Sequence, residues 1–305
     1  MQLHVIHVSE LSNHPILVVG GDGLVGRSVV DSLEFAGYSV FTTSRRTERI
    51  SSNCLALDLA NSSAFGFEPS TVLLCASITN IAVVEKSPHE TQKINVDAVV
   101  ALARRLYASG SHIIYISSVG VFGDSSELVN TATPPFPANA YGQQKVDAER
   151  GLLSLGSRAA VVRPTKIVSC ATPMILEWMQ SLRRGKEIKP FSDFRFCPVS
   201  LKFLTQSLAA LALLRPSGIF HLSGQSQVSY AEFAITLASS MGVAPALVVP
   251  THSTECRIPV FYPPRQPCLE MASTTALLGV QPQSLQSVVD DLLSEFTEYE
   301  FRISR

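Results

Sequence analysis

Pro15-Ile16-Leu17-Val18-Val19-Gly20-Gly21-Asp22-Gly23-Leu24-Val25-Gly26 is the stretch on which the fold turns. Its first half is an apolar run without alternation, the pattern of a strand buried on both faces in a parallel sheet. Its second half spaces Gly20, Gly23 and Gly26 as GxxGxxG. A helical pattern follows from Leu24 to Phe35 and Gly37 stops it. Three glycines alone fit any strand-to-helix turn. With a strand before and a helix after, they predict a dinucleotide-binding turn. Gly20 allows the tight bend. Gly23 lets backbone N–H groups approach a pyrophosphate at the helix N-terminus, with Leu24 and Val25 in that first turn. Gly26 lets helix and strand pack closely.

Working outward, strand-like runs recur at 38–44, 54–57, 72–75, 112–117 and 159–163, with helical stretches at 91–108 and 141–153. This alternation predicts an α/β fold, a Rossmann-type doubly wound parallel sheet, over residues 1–165. Residues 166–305 read mainly as a small α/β substrate domain, with some segments returning to the sheet. Helices are expected at 172–184, 201–214, 229–241 and 285–296, and a strand at 218–224. Ser229 and Glu232 have the spacing of a capping box.

The end of the second strand selects the cofactor. An NAD site places an acid there for the ribose 2′-hydroxyl. This chain has Ser44, Arg45 and Arg46, which suit a 2′-phosphate. NADP(H) is therefore favoured over NAD(H), although two arginines can also simply solvate a loop. Asp58 either accepts from the adenine amino group or caps the next turn.

Tyr141 and Lys145, four apart at a helix start, share one helical face. A nearby ammonium and a positive nicotinamide ring are expected to draw the phenol pKa toward neutrality, so that it exchanges a proton with a carbonyl oxygen. Upstream, the strand IIYIS ends in Ser117-Ser118-Val119, at the carboxyl edge where such sheets bind ligands. Ser118 is placed to hydrogen-bond the substrate oxygen.

GGDGLVG, LDL, CAS, KINV, ISSVGVFG, YGQQK and VVRPT stand in this order along nearly the whole chain. In this the sequence resembles the extended short-chain dehydrogenase/reductase superfamily, its epimerase/dehydratase branch, and most of all the dTDP-4-dehydrorhamnose reductase group. The resemblance implies Tyr141 as acid/base, Lys145 as its partner and ribose clamp, Ser118 as carbonyl binder and Asn95 as support of the active-site helix. It implies Leu59, Ala76, Ser77 and Pro164 along the cofactor, and Thr79, Val119 and Thr165 toward the substrate. Arg195 and Arg265, in predicted loops of the smaller domain, are candidates for a sugar-nucleotide diphosphate. His221 and Trp178 read as core or rim residues. Rhamnose reductases usually carry an acid where this chain has Val119, and dehydratases need an Asp–Glu pair that Val119-Gly120 cannot supply.

The 305 residues are 46% hydrophobic and 16% charged, with a formal net charge of -1. That is a globular composition without the basic run that a nucleic-acid partner requires. No long apolar span or leader is evident, and six cysteines are scattered without a CxxC pair. A cytoplasmic protein with free thiols and no metal is expected. The expected function is NADP(H)-dependent reduction of a keto group, on a nucleotide-activated sugar, in a chain compatible with a homodimer. An NAD(P)-dependent sugar-nucleotide epimerase and a non-catalytic, cofactor-sensing or regulatory subunit are the alternatives.

Overall fold

The computed structural model describes residues 15–61, 68–255 and 266–303. Eleven strands are formed among them: β1 (Ile16–Val19), β2 (Val40–Ser44), β3 (Cys54–Ala56), β4 (Thr71–Leu74), β5 (His112–Ile116), β6 (Ala159–Pro164), β7 (Lys166–Val168), β8 (Arg195–Phe196), β9 (Pro198–Ser200), β10 (Gly218–Leu222) and β11 (Val228–Ser229). Seven of them build one sheet in the order β10-β6-β5-β4-β1-β2-β3. Pairing is parallel from β3 through β6, with Ile16 opposite both Val40 and Thr71. The order reverses beside β1, which makes the ends of β1 and β4 the switch point of a doubly wound sheet. β1, β4 and β5 are buried at every position, as their unbroken apolar runs require.

By internal contacts the described chain divides into two compact units. One holds the chain up to Val121 with Pro135–Arg163 and Thr205–Phe220; the other holds Phe122–Pro134, Pro164–Leu204 and the chain from His221. The first has its core between sheet and helices, with Leu17, Val72, Ile113 and Val161 packed against Val99, Leu102, Leu106 and Leu152. The second is centred on Trp178, Met179, Phe196, Phe233, Leu237 and Val288, with β7 on β9 and β8 on β11 as two short ladders. Trp178 thus lies in this core. His221 is fully buried, its Nδ1 2.9 Å from the Glu270 carbonyl oxygen.

The expected helices form over Leu24–Phe35, Ala140–Leu153, Pro173–Arg183, Leu201–Leu214 and Tyr230–Ser240. Ser229 and Glu232 close the anticipated capping box on the last of these. The last helix runs Leu285–Ile303, past the anticipated end at Phe296, since neither glycine nor proline interrupts it. The stretch from Pro88 to Ala108 departs from a plain helix. It opens as an α-turn to Gln92, widens into a π-helix over Lys93–Ala98 and resumes as Val99–Ala108. A short helix, Ile81–Lys86, was not apparent from periodicity. Six residues show little of it, and the Asn80 side chain caps it by accepting from the Val83 N–H at 3.2 Å. No described helix is long and apolar enough to cross a membrane.

Candidate active site

The glycine turn forms as anticipated. Gly20 has φ +92°, and a side chain there would strike the backbone of Ala76 at 2.8 Å. A Cβ on Gly26 would lie 2.2 Å from the Gly20 oxygen, so helix Leu24–Phe35 can approach β1 only without one. Gly23 is the N-cap of that helix and makes no side-chain cap. Gly23 and Leu24 are exposed and Val25 half-buried. The first-turn N–H groups therefore face outward without a capping side chain, as an anionic pyrophosphate requires. Ala76 lies against Gly20 on the segment leaving β4, followed by half-buried Ser77 and, two residues on, exposed Thr79. On these observations the residues fit a dinucleotide.

The end of β2 corrects the expectation in one respect. No acid stands there in sequence, but the fold brings Asp22 of the glycine turn to it. The Ser44 hydroxyl donates to Asp22 Oδ2 at 2.5 Å, and Arg49 Nη1 donates to Oδ1 at 2.9 Å. The bond from Ser44, with Arg49 and Arg46 nearby, holds the Asp22 carboxyl below its usual range. Ser44 also accepts the Arg46 N–H at 2.9 Å and is buried, so it is a strut and not an open cradle. Arg45 and Arg46 are exposed. Asp58 caps its own turn, accepting from the Ala60 N–H at 3.1 Å, and Leu59 lies in the core.

Ser118, Tyr141 and Lys145 come together at the carboxyl end of β5. Asn139 starts the helix Ala140–Leu153, its side chain accepting from the Gly142 N–H at 2.8 Å. Gly142 must be glycine for this, because a Cβ would sit 2.2 Å from the Gly120 oxygen. The contact seats the helix start on the Ser118–Val121 turn, where Ser118 Oγ accepts the Gly120 N–H at 3.1 Å and hydrogen-bonds Tyr141. Val119 begins that short turn and is half-buried. Lys145 is buried; its Nζ donates to the Ile116 carbonyl at 3.0 Å and lies 4.7 Å from the Tyr115 ring centre and 5.8 Å from that of Tyr141.

The electrostatics reverse one expectation. Burial pushes the Tyr141 phenol up to about 12, against the lowering hydrogen bond from Ser118. Burial also brings the Lys145 ammonium down to about 8, which Glu149 and Cys75 resist. Desolvation penalises the tyrosinate and the ammonium alike, so the protein's own groups do not bring the phenol toward neutrality.

Three supports were missed in the sequence. Glu149, one turn beyond Lys145, is buried in a bidentate pair with Arg163, at 2.9 Å to Nε and 2.6 Å to Nη2, and accepts the hydroxyl of Ser117. The i, i+4, i+8 stripe Tyr141–Lys145–Glu149 was the available signal. Gln144, inside YGQQK, joins the helix to the π-helix by accepting from Asn95 Nδ2 at 2.8 Å. Asn95 accepts from the Ile78 N–H at 2.7 Å and Ser77 Oγ at 3.1 Å, and donates to the Ile78 oxygen at 3.1 Å. It is thus the satisfied buried support that was expected. Asp22 with Arg49 is the third, and only the folded chain unites them.

In the second unit, Pro164 ends β6 and Thr165 is buried, its N–H on the Leu222 oxygen at 2.9 Å. Arg195 is already engaged: Nη2 donates to the Gln227 oxygen at 3.1 Å and Nη1 stands 3.3 Å from Glu232. That weakens its candidacy for a diphosphate. Arg265 lies outside the described residues.

The sequence matches the family described as RmlD substrate binding domain over residues 14–298. It is 28% identical over 248 residues to methionine adenosyltransferase 2 subunit beta of Pongo abelii, covering 76% of this chain and 74% of that one. It is 24% identical to the spore coat polysaccharide biosynthesis protein SpsK of Bacillus subtilis, covering 92% and 97%. In structure it is similar to a dTDP-4-dehydrorhamnose reductase from Bacillus anthracis in complex with NADP, with TM-score 0.79 and 19% identity over 92% of this chain and 98% of that one. A second such reductase, from Clostridium acetobutylicum, has TM-score 0.77 and 21% identity over 93% and 99%.

Proposed function

Since the chain belongs to the RmlD substrate binding domain family, in the extended short-chain class of NAD(P)-dependent oxidoreductases, we propose that it reduces a keto group on a nucleotide-activated sugar with NADPH. The observation that carries this reading is the junction of Ser118, Tyr141 and Lys145 at the carboxyl edge of β5, held by Asn95, Gln144 and Glu149. A dinucleotide whose pyrophosphate is held at the glycine turn would supply the hydride from its reduced nicotinamide and, once oxidised, a positive charge on that ring. Tyr141 holds its proton through the physiological range, as a proton donor to a carbonyl oxygen must. Ser118 orients the phenol and hydrogen-bonds the same oxygen as charge develops on it. Lys145 keeps ammonium N–H groups for a ribose beyond the one given to Ile116.

Arg45 and Arg46 would take a 2′-phosphate, which favours NADPH; Arg49, already on Asp22, offsets that carboxylate. One observation favours a second reading, a cofactor-binding subunit of another enzyme. The curated relatives at 26–28% identity include several named as methionine adenosyltransferase 2 subunit beta. The two separate in one experiment: NADPH oxidation against a panel of 4-keto and other keto-sugar nucleotides, beside dinucleotide binding by fluorescence. Tyr141→Phe is expected to lose about 10²–10⁴-fold in turnover with binding retained. Tight dinucleotide binding with no turnover across the panel favours the subunit reading. Turnover unaffected by loss of the phenol hydroxyl overturns the mechanism.

A further inference from the structure

The second unit buries two cysteines, far apart in sequence, that the proposed reaction does not use. Cys197, between β8 and β9, has no exposed surface, and Cys268 is 5% exposed. The two thiols influence each other, the contact favouring thiolate at Cys197 and thiol at Cys268. Ser223 fixes both. Its hydroxyl oxygen lies 3.6 Å from Cys197 Sγ and accepts the N–H of Leu269, the residue after Cys268, at 3.0 Å. Cys197 Sγ also lies 3.3 Å from the Gly224 oxygen and 3.5 Å from the Ser226 oxygen. A Cβ on Gly224 would lie 3.0 Å from that sulfur, so Cys197 is closely packed on this side.

A buried cysteine is ordinarily an inert, small apolar residue. This pair differs because each thiol has the other as its neighbour. We infer that Cys197 and Cys268 form a redox modification site, which a peroxide oxidises to an intramolecular disulfide. Full burial of Cys197 restricts the oxidant to something near the size of water, which hydrogen peroxide is and a glutathione disulfide is not. In the first step the Cys197 sulfur attacks one peroxide oxygen and the O–O bond breaks. The departing hydroxide takes the Cys197 proton as water, leaving a sulfenic acid. In the second, the Cys268 sulfur attacks Cys197 sulfur and the S–O bond breaks. The hydroxide leaves with the Cys268 proton as a second water. Two thiols are oxidised and one peroxide is reduced to two waters.

The order of attack follows from the contacts. The contact with Cys268, then that with Ser223, favours thiolate at Cys197 against its burial. The same contact and burial keep Cys268 protonated. The bridge would tie the approach to β9, where the Cys197 oxygen accepts the Lys166 N–H at 3.0 Å, to the Gln266–Leu269 segment. That segment is bonded to Ser125 and paired with Val129.

The test treats the full chain with graded hydrogen peroxide, blocks free thiols under denaturing conditions, and maps peptides by mass spectrometry without reductant. A Cys197–Cys268 cross-linked peptide that dithiothreitol removes is expected, with the loss of two free thiols. In Cys268→Ser, Cys197 should stop at a sulfenic acid trapped by a cyclic 1,3-dione. In Cys197→Ser, Cys268 should stay a thiol. Circular dichroism verifies that each variant is folded. Full alkylation of both positions after peroxide that oxidises Cys54, or pairing of Cys197 with another cysteine, overturns the inference. Because none of these readouts involves turnover, failure of the reductase reading leaves it standing.

Discussion

At the scale of single residues, the chemistry depends on three groups on one stripe of one helix. Tyr141 carries the proton, Lys145 stands one turn on, and Glu149 one turn further, locked to Arg163. Removing one partner of a buried ion pair strands the other charge. Glu149→Gln should therefore cost about 3 kcal/mol in urea unfolding, more than any effect on an exposed pair such as Arg150–Asp147. Lys145 sets a pH dependence. Its pKa falls from an ordinary 10.5 to about 8 on folding, so between those values the unfolded chain binds the additional proton. Stability attributable to this group must then rise with pH across that window and be flat below it. Comparing wild type with Lys145→Met by urea midpoints from pH 7 to pH 10 should show the wild type gaining on the variant as pH rises. A constant difference would mean that Lys145 is not desolvated.

At the scale of elements, position matters more than propensity. The helix Ala140–Leu153 has an ordinary start, an Asn cap, but its seat on Gly120 admits no side chain at Gly142. Gly142→Ala, which should favour an isolated helix, is expected to reduce turnover at least about 10²-fold by displacing Tyr141, with dinucleotide binding little changed. The π-helix over Lys93–Ala98 is a second case. Its wide turn places Asn95 against Ile78 and Gln144, and π-turns often mark functional positions. By contrast, Ser229→Ala removes a capping box in the second unit. It should cost about 1 kcal/mol of stability, read by thermal unfolding, without altering dinucleotide binding.

At the scale of the whole molecule, a dinucleotide that binds only the folded chain stabilises it by mass action, by about 2.7 kcal/mol at a hundredfold excess over Kd. The thermal midpoint should rise with NADPH, rise less with NADH, and not move for Gly26→Ala, in which the glycine turn cannot close. Equal shifts with both dinucleotides would show that Asp22 cancels the preference supplied by Arg45 and Arg46.

Local pattern sufficed for the doubly wound sheet, the helix Leu24–Phe35, the Ser229 capping box and the shared face of Tyr141 and Lys145, because each is written in neighbouring residues: unbroken apolar runs, glycine spacing, a four-residue interval. The short strands β7, β8, β9 and β11 left no such trace, since two or three residues carry no periodicity. The tertiary structure alone decided the state of the groups. Asp22 reached Ser44 across two elements, Glu149 found Arg163, Cys197 met Cys268, and burial raised the phenol that a neighbouring ammonium was expected to lower. Charge and solvation depend on distance in space, and the sequence records only distance along the chain.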